Sequence, residues 1–172
     1  MKNVIGYGSL ISKESLSKTI PIRDYSYVWI TGYRRIFNLR TRLLKMYKIG
    51  ENDERIAVLN VEPEEAGRVN AVIFSASDEE LEKLKIRERR YYTKDVEVTD
   101  YFTGKSLGRA ILFIGKKFAH GERIVSEDYL PVKEYLDKCR EACYAVSVQF
   151  GKDFDETTFT AKGVRIDQYL GV

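Results

Sequence analysis

A strand of a few residues that runs straight into a glycine-bracketed turn and then a helix constrains this chain most. It lies at the start, in MKNVIGYGSL. Val4 and Ile5 form the strand, Gly6-Tyr7-Gly8-Ser9-Leu10 the turn, and a helix follows from about Ser12. Glycine tolerates positive φ and lets a ligand approach the backbone closely. Exposed N–H groups in such a turn form a concave anion site, reinforced by the positive end of the following helix dipole. A small carboxylate fits a site of that kind. The same pattern also serves chains that simply change direction, so the local sequence leaves both readings open.

The following segments alternate between strand and helix signals. Ser12 caps a short helix over residues 13–18, ended before Pro21. Residues 25–42 (YSYVWITGYRRIFNLRTR) are aromatic and β-branched and read as strand, with Gly32 as a bulge or close approach. The polar stretch 45–54 reads as a loop. Residues 56–61 and 68–74 read as two strands joined by a turn at Pro63–Gly67. Ser77, followed by Asp78, Glu79 and Glu80, is a strong helix start, and the helix runs to Arg89. Residues 91–98 and 106–114 form a hairpin around Asp100–Gly104.

From Glu127 to about Phe150 the apolar residues Tyr135, Leu136, Cys139, Cys143, Val146 and Phe150 recur at helical spacing. Pro131 falls near that helix's start, where a missing N–H matters least. The last twenty residues mix a turn at Gly163 with a short apolar end. Strands in the first two-thirds and helices in the last third give an α+β fold. A small, strongly curved or barrel-like sheet with helices outside it is expected.

Bulk properties narrow the function. The 172 residues are expected to form one domain spanning 1–172, long enough to bury roughly 70% of the unfolded surface. A net charge of +3 with both signs interspersed gives no footprint for nucleic acid. No apolar run approaches ~20 residues, so no transmembrane helix is expected. The start lacks the apolar core of a signal peptide, which favours the cytoplasm. Two cysteines four apart on one helix do not make a disulfide framework. A single histidine, His120, removes most metal sites and Ser–His–Asp arrangements.

Glu88 is the acidic residue to single out. It ends the helix before the Tyr91 strand, and Tyr91 and Tyr92 can supply the dry aromatic surroundings that raise a carboxylate toward general-base strength. Arg87, Arg89 and Arg90 act the other way, and a solvated glutamate in a charged helix end is the plain alternative. Ser9 lacks the surroundings of a nucleophile. Cys139 and Cys143 share a helix face and read as core. Arg34, Arg35, Arg40 and Arg42 interleave with Tyr33 and Phe37, a remote RNA-binding pattern that strand alternation divides between two faces.

Several of these segments, in order, resemble the gamma-glutamylcyclotransferase superfamily: Tyr7-Gly8-Ser9-Leu10, Gly32-Tyr33-Arg34-Arg35, Leu84-x-x-x-Glu88 with Tyr91 and Tyr92, and Tyr135. The resemblance runs from Val4 to about Phe150. GYRR and KIRERRYY are closest to the ChaC-type, glutathione-acting branch, whereas PVKEYLDKC resembles the branch acting on gamma-glutamyl amino acids and amines. The resemblance implies a small mixed barrel flanked by helices, no metal and no cofactor. It also implies a lyase or acyltransferase type of enzyme, acting as a monomer or homodimer on a small gamma-glutamyl molecule, without nucleic acid or membrane. In the implied reaction the substrate's α-amine attacks its own γ-carbonyl, releasing 5-oxoproline. Tyr7, Gly8, Ser9 and Leu10 would bind substrate, Glu88 would relay the proton, and Tyr135 would hydrogen-bond the substrate.

Relatives usually carry an acidic residue after the leucine and glycine after the glutamate, where this chain has Lys85 and Arg89. That departure motivates the alternative, a non-catalytic or altered-specificity small-molecule-binding member of the same fold.

Overall fold

A computed structural model describes residues 1–40, 56–116, 118–119, 122–123, 125 and 127–172. The polar stretch 45–54, Arg42 and His120 lie outside the described residues. Strand β1 (Lys2–Gly6) leads through a single 3-10 turn (Ser9–Ile11) into helix α1 (Lys13–Ser17), capped by the Ser12 hydroxyl. Strands β2 (Ser26–Arg40) and β3 (Ile56–Ala76) follow, then α2 (Asp78–Arg87), β4 (Tyr91–Asp100) and β5 (Ser106–Gly115). A small hairpin, β6 (Phe118–Ala119) and β7 (Glu122–Arg123), precedes β8 (Leu130–Pro131). The chain closes with α3 (Lys133–Val146), α4 (Val148–Glu156), β9 (Thr158–Thr160) and α5 (Ile166–Leu170).

The principal strands run in the order β3-β1-β5-β4-β2, and β2 pairs back onto β3, so the sheet closes into a five-stranded barrel. It is mixed: β1 lies parallel to β5 through Val4 and Ile111, and the other barrel pairings are antiparallel. This is the α+β barrel with outer helices that the alternation of strand and helix signals predicts. Two bulges bend the long β2–β3 ribbon so that it can close. One is at Gly32, whose φ of +80° suits glycine, and the other falls between Phe37 and Leu39. Past the first bulge the alternating burial of β2 gives way to continuous burial from Arg35 to Leu39. There Thr158 of β9 pairs with Arg35, and Tyr135 of α3 meets Phe37 edge-on at 6.2 Å.

Three expectations need correction. Pro63–Gly67 does not join two separate strands, because residues 56–76 are one strand whose pairing with β2 jumps from Pro63 to Arg68. Strong pairing on both sides keeps the strand running past residues that favour a turn. The last helix does not begin near Glu127. Leu130 and Pro131 first lie on the edge of β3, where proline's missing N–H costs no ladder bond. That helix also does not continue to Phe150. Ser147 is extended, its hydroxyl accepts the Phe150 N–H at 3.0 Å, and α4 starts there. Apolar spacing runs through the break because both helices bury a face in one core containing Leu136, Cys139, Cys143, Phe150 and Phe154. Among the described residues, no helix is long and apolar enough to cross a membrane.

Candidate active site

The first turn is held from several sides. The Tyr7 hydroxyl donates to the Phe113 carbonyl on β5 at 2.8 Å. Its own carbonyl accepts from Arg35 at 3.0 Å. The Gly8 carbonyl accepts the Ile11 N–H at 2.9 Å, closing the tight turn. Neither Gly6 nor Gly8 uses positive φ, contrary to the simplest reading of a glycine-rich turn. Space is the reason instead. A Cβ at Gly6 would stand 2.6 Å from the Leu10 Cβ, and one at Gly8 would stand 2.6 Å from the Tyr135 hydroxyl.

The opposite wall comes from α2. Ser77 and Glu80 form a capping box, Arg23 grips Glu80 with both carboxylate oxygens within 2.8 Å, and Leu81 and Leu84 are buried. The helix stops with Glu88 as its C-cap. The Glu88 N–H donates to the Leu84 carbonyl at 2.7 Å, and its own carbonyl accepts from Tyr91 at 2.9 Å. That backbone fixes where the carboxylate projects. Strand alternation then separates the two tyrosines: Tyr91 reaches back to donate to the Leu59 carbonyl at 2.8 Å, while Tyr92 is 46% exposed.

Between these walls lies a cavity of about 310 Å³, counting its open mouth. It brings together Tyr7, Gly8, Ser9, Leu10, Glu88 and Tyr135, with Ile5, Tyr91 and Phe113 completing the lining. Among the described residues, Glu88 is the only carboxylate that lines it. Burial raises its pKa, and Arg87, with its Nε 3.3 Å from Glu88 Oε1, and Arg90 pull the other way. The Tyr7 and Tyr135 phenols are driven well upward, first by burial, and stay neutral hydroxyls. The arrangement offers one largely buried carboxylate beside phenol and serine hydroxyls.

Residues that looked like complications lie elsewhere. Arg89 is exposed and does not line the cavity; Lys85 is exposed and paired with Glu82 at 2.7 Å. Both cysteines are buried free thiols, and burial raises Cys139 to about 12. Among the described residues no group of three His, Cys, Asp or Glu side chains could hold a metal ion. Arg34 pairs with Glu62 at 3.1 Å, and Arg40 is exposed.

Two residues that matter to the cavity escaped the sequence reading. Arg35 is fully buried and donates to Tyr7, Asn70, Thr157 and Thr158 while lying 4.0 Å from the Phe154 ring centre. Burial lowers its pKa to about 10. Strand alternation through Tyr33-Arg34-Arg35 was the available signal that one of the two arginines turns inward. Arg87, next to Glu88, also reaches Ser9, and nothing local in the sequence distinguishes it from its arginine neighbours.

No protein-family sequence model matches the chain, and no curated protein matches it by sequence. Solved structures do match. A gamma-glutamyl cyclotransferase, 11% identical, aligns over 89% of this chain and 85% of its own with a TM-score of 0.65. YkqA from Bacillus subtilis, 15% identical, aligns over 88% of this chain and 51% of its own with a TM-score of 0.61, so this chain spans about half of that protein. A yeast gamma-glutamyl cyclotransferase specific to glutathione, 17% identical, aligns over 82% and 86% with a TM-score of 0.55. The closed mixed barrel, its outer helices and these alignments give the chain the gamma-glutamylcyclotransferase-like fold.

Proposed function

We propose that this chain is a cofactor-independent gamma-glutamyl cyclotransferase that releases 5-oxoproline from a gamma-glutamyl substrate. The observation that carries the reading is the meeting of Glu88, a lone carboxylate, with the Tyr7–Leu10 turn in one cavity. In this scheme the glutamyl moiety lies against the turn, whose first helical N–H groups have no intrahelical acceptor. The Tyr135 hydroxyl, close to Gly8, hydrogen-bonds the substrate.

Glu88 takes a proton from the substrate's α-ammonium. The freed amine attacks the γ-carbonyl, forming the ring C–N bond and an oxyanion that the turn's amides stabilise. Glu88 gives that proton to the departing nitrogen as the old γ-C–N bond breaks. The second proton of the ring nitrogen then passes by way of Glu88 to the released amine, which leaves as its ammonium, so the enzyme ends in its starting state. Nucleophile and electrophile belong to one molecule, and a bound attack conformation supplies up to roughly 7–11 kcal/mol of the barrier. Burial that raises the affinity of Glu88 for a proton suits a group that must accept one and give it back.

The test is a panel of gamma-glutamyl donors: glutathione, gamma-glutamyl amino acids, gamma-glutamyl amines and an isopeptide. At least one is expected to yield 5-oxoproline, and Glu88→Gln should abolish the yield without unfolding the chain. Undiminished turnover in that variant would refute the role of Glu88. Tight binding with no product from any donor would instead favour a non-catalytic binding member of the fold.

A further inference from the structure

The scheme above leaves Arg87 without a task, yet its side chain is heavily engaged at the end of α2. One Nη donates to the Ser15 carbonyl at 2.9 Å and to the Thr19 hydroxyl at 2.7 Å. The other donates to the Ser15 hydroxyl at 3.0 Å and the Ser9 hydroxyl at 3.3 Å. Its Nε lies 3.3 Å from Glu88 Oε1. A single planar fork therefore touches the cavity's acid, the serine of the substrate-facing turn, the middle of the short helix behind that turn, and Thr19 just past its end. A helix of five residues has little stability of its own and takes its position from what holds it. Lysine, a point charge without a fixed fork, cannot make this set of contacts.

We propose that Arg87 is the positioning residue of this cavity: its guanidinium ties the Glu88 end of α2 to the Ser9–Thr19 segment, setting the separation of the two polar walls, and places a compensating charge against Glu88. The proposal deepens the cyclotransferase reading, since it rests on Glu88 as the proton relay. Among the described residues, few groups face Glu88. Arg87 and Arg90 approach from its own chain neighbourhood, and the phenols of Tyr7 and Tyr135 face it from the turn and from α3, with Tyr91 on β4 beside them. Removing Arg87 takes away the larger of these two charge effects that oppose burial, so Glu88 should then hold its proton to higher pH.

The test is a 13C NMR titration of the full chain labelled at glutamate. The Glu88 side-chain carbonyl signal is identified by its loss in Glu88→Gln. The expected order of midpoints is wild type lowest, Arg87→Lys next and Arg87→Gln highest. Where a donor is turned over, Arg87→Gln should lower kcat/KM by about tenfold at pH 6, with the deficit narrowing toward pH 9, as loss of one charge-assisted contact predicts. A merely structural arginine would lower activity equally at every pH and leave the Glu88 titration in place. Unmoved midpoints in both variants overturn the proposal, and if Arg87→Gln does not fold, an unmoved midpoint in Arg87→Lys overturns it alone. The titration needs no substrate. Failure to release 5-oxoproline would therefore sink the proposed activity while leaving this result readable, and an active chain with unmoved midpoints would do the reverse.

Discussion

Gly8→Ala distinguishes two reasons for a glycine in the first turn. The Gly8 φ of −131° is not the left-handed value that usually calls for glycine. What a side chain lacks at this position is space. The added methyl would stand 2.6 Å from the Tyr135 Oη, 3.4 Å from Leu59 Cδ1 and 3.7 Å from the Tyr135 Cζ. Only the first of these is a clash, and ordinary contact requires the hydroxyl to retreat by about 0.8 Å. Tyr135 cannot swing away freely, because its ring packs edge-on against the buried Phe37 and its neighbour Leu136 is buried. Overpacking of this kind costs about 1–3 kcal/mol. A central value of about 2 kcal/mol corresponds to a fall in Tm of about 4–8 °C for a chain of this size.

Tyr135→Phe removes the clashing oxygen and loses about 1 kcal/mol of hydrogen bonding. The combined variant Gly8→Ala/Tyr135→Phe should therefore be less destabilised than the sum of its parts by about 1–2 kcal/mol. Urea denaturation of the four proteins gives that coupling directly. Additivity within about 0.5 kcal/mol would refute a steric link between the turn and α3.

Glu88→Gln also carries a stability prediction. Burial raises the Glu88 pKa in the folded chain, so the native state binds this proton more tightly than the unfolded state does. The contribution of Glu88 to stability is therefore greatest below the ordinary glutamate value of about 4.3 and is lost as pH rises through the folded midpoint. Relative to wild type, the Tm of Glu88→Gln should climb between pH 4 and 8, and a flat or falling difference would contradict the burial assigned here. Arg35→Met strands the Tyr7 and Asn70 carbonyls in the core and should cost about 3–5 kcal/mol in urea denaturation, with Arg35→Lys milder. Arg89→Gly should leave kcat/KM on any accepted donor within about twofold, because the side chain is exposed and away from the cavity. A large change there would mean that the departure from the usual glycine matters to substrate.

What the sequence disclosed about this fold was whatever is decided locally. The Ser77–Glu80 capping box, the Ser12 cap, the Gly32 bulge and the hairpin around Gly104 all depend on side chains within a few residues of the backbone they fix. The barrel's closure was legible as a class, from strands outnumbering helices, but its register was not. The pairing of β2 with β3 overrode the turn residues at 63–67, and edge pairing of Leu130 and Pro131 delayed the last helix. Ser147 was hidden for a different reason: apolar spacing reports which face is buried and is blind to a cap between two helices that share that face. Arg35 ran against the usual expectation that charge stays outside. It is retained because five donors in a fixed plane satisfy carbonyl and hydroxyl acceptors from the first turn, β3 and the segment around β9 at once.

The candidate site shows the same division in its chemistry. Glu88 could be singled out because a helix end next to a tyrosine-bearing strand offers a carboxylate both a fixed backbone and a drier environment. Which effect prevails on its proton is a three-dimensional matter. In sequence the three flanking arginines outnumber the acid, and counting charges alone would keep the carboxylate firmly ionised. Among the described residues Arg87 and Arg90 are the charges that lower it, Arg89 is exposed, and burial outweighs the two. A carboxylate held too tightly as an anion takes up no proton from an ammonium, and one buried without any cation is protonated before substrate arrives. At the end of α2 burial raises the Glu88 pKa against the pull of Arg87 and Arg90, and on the proposed reading that opposition is what one residue needs to act as base for the attacking nitrogen and as acid for the departing one.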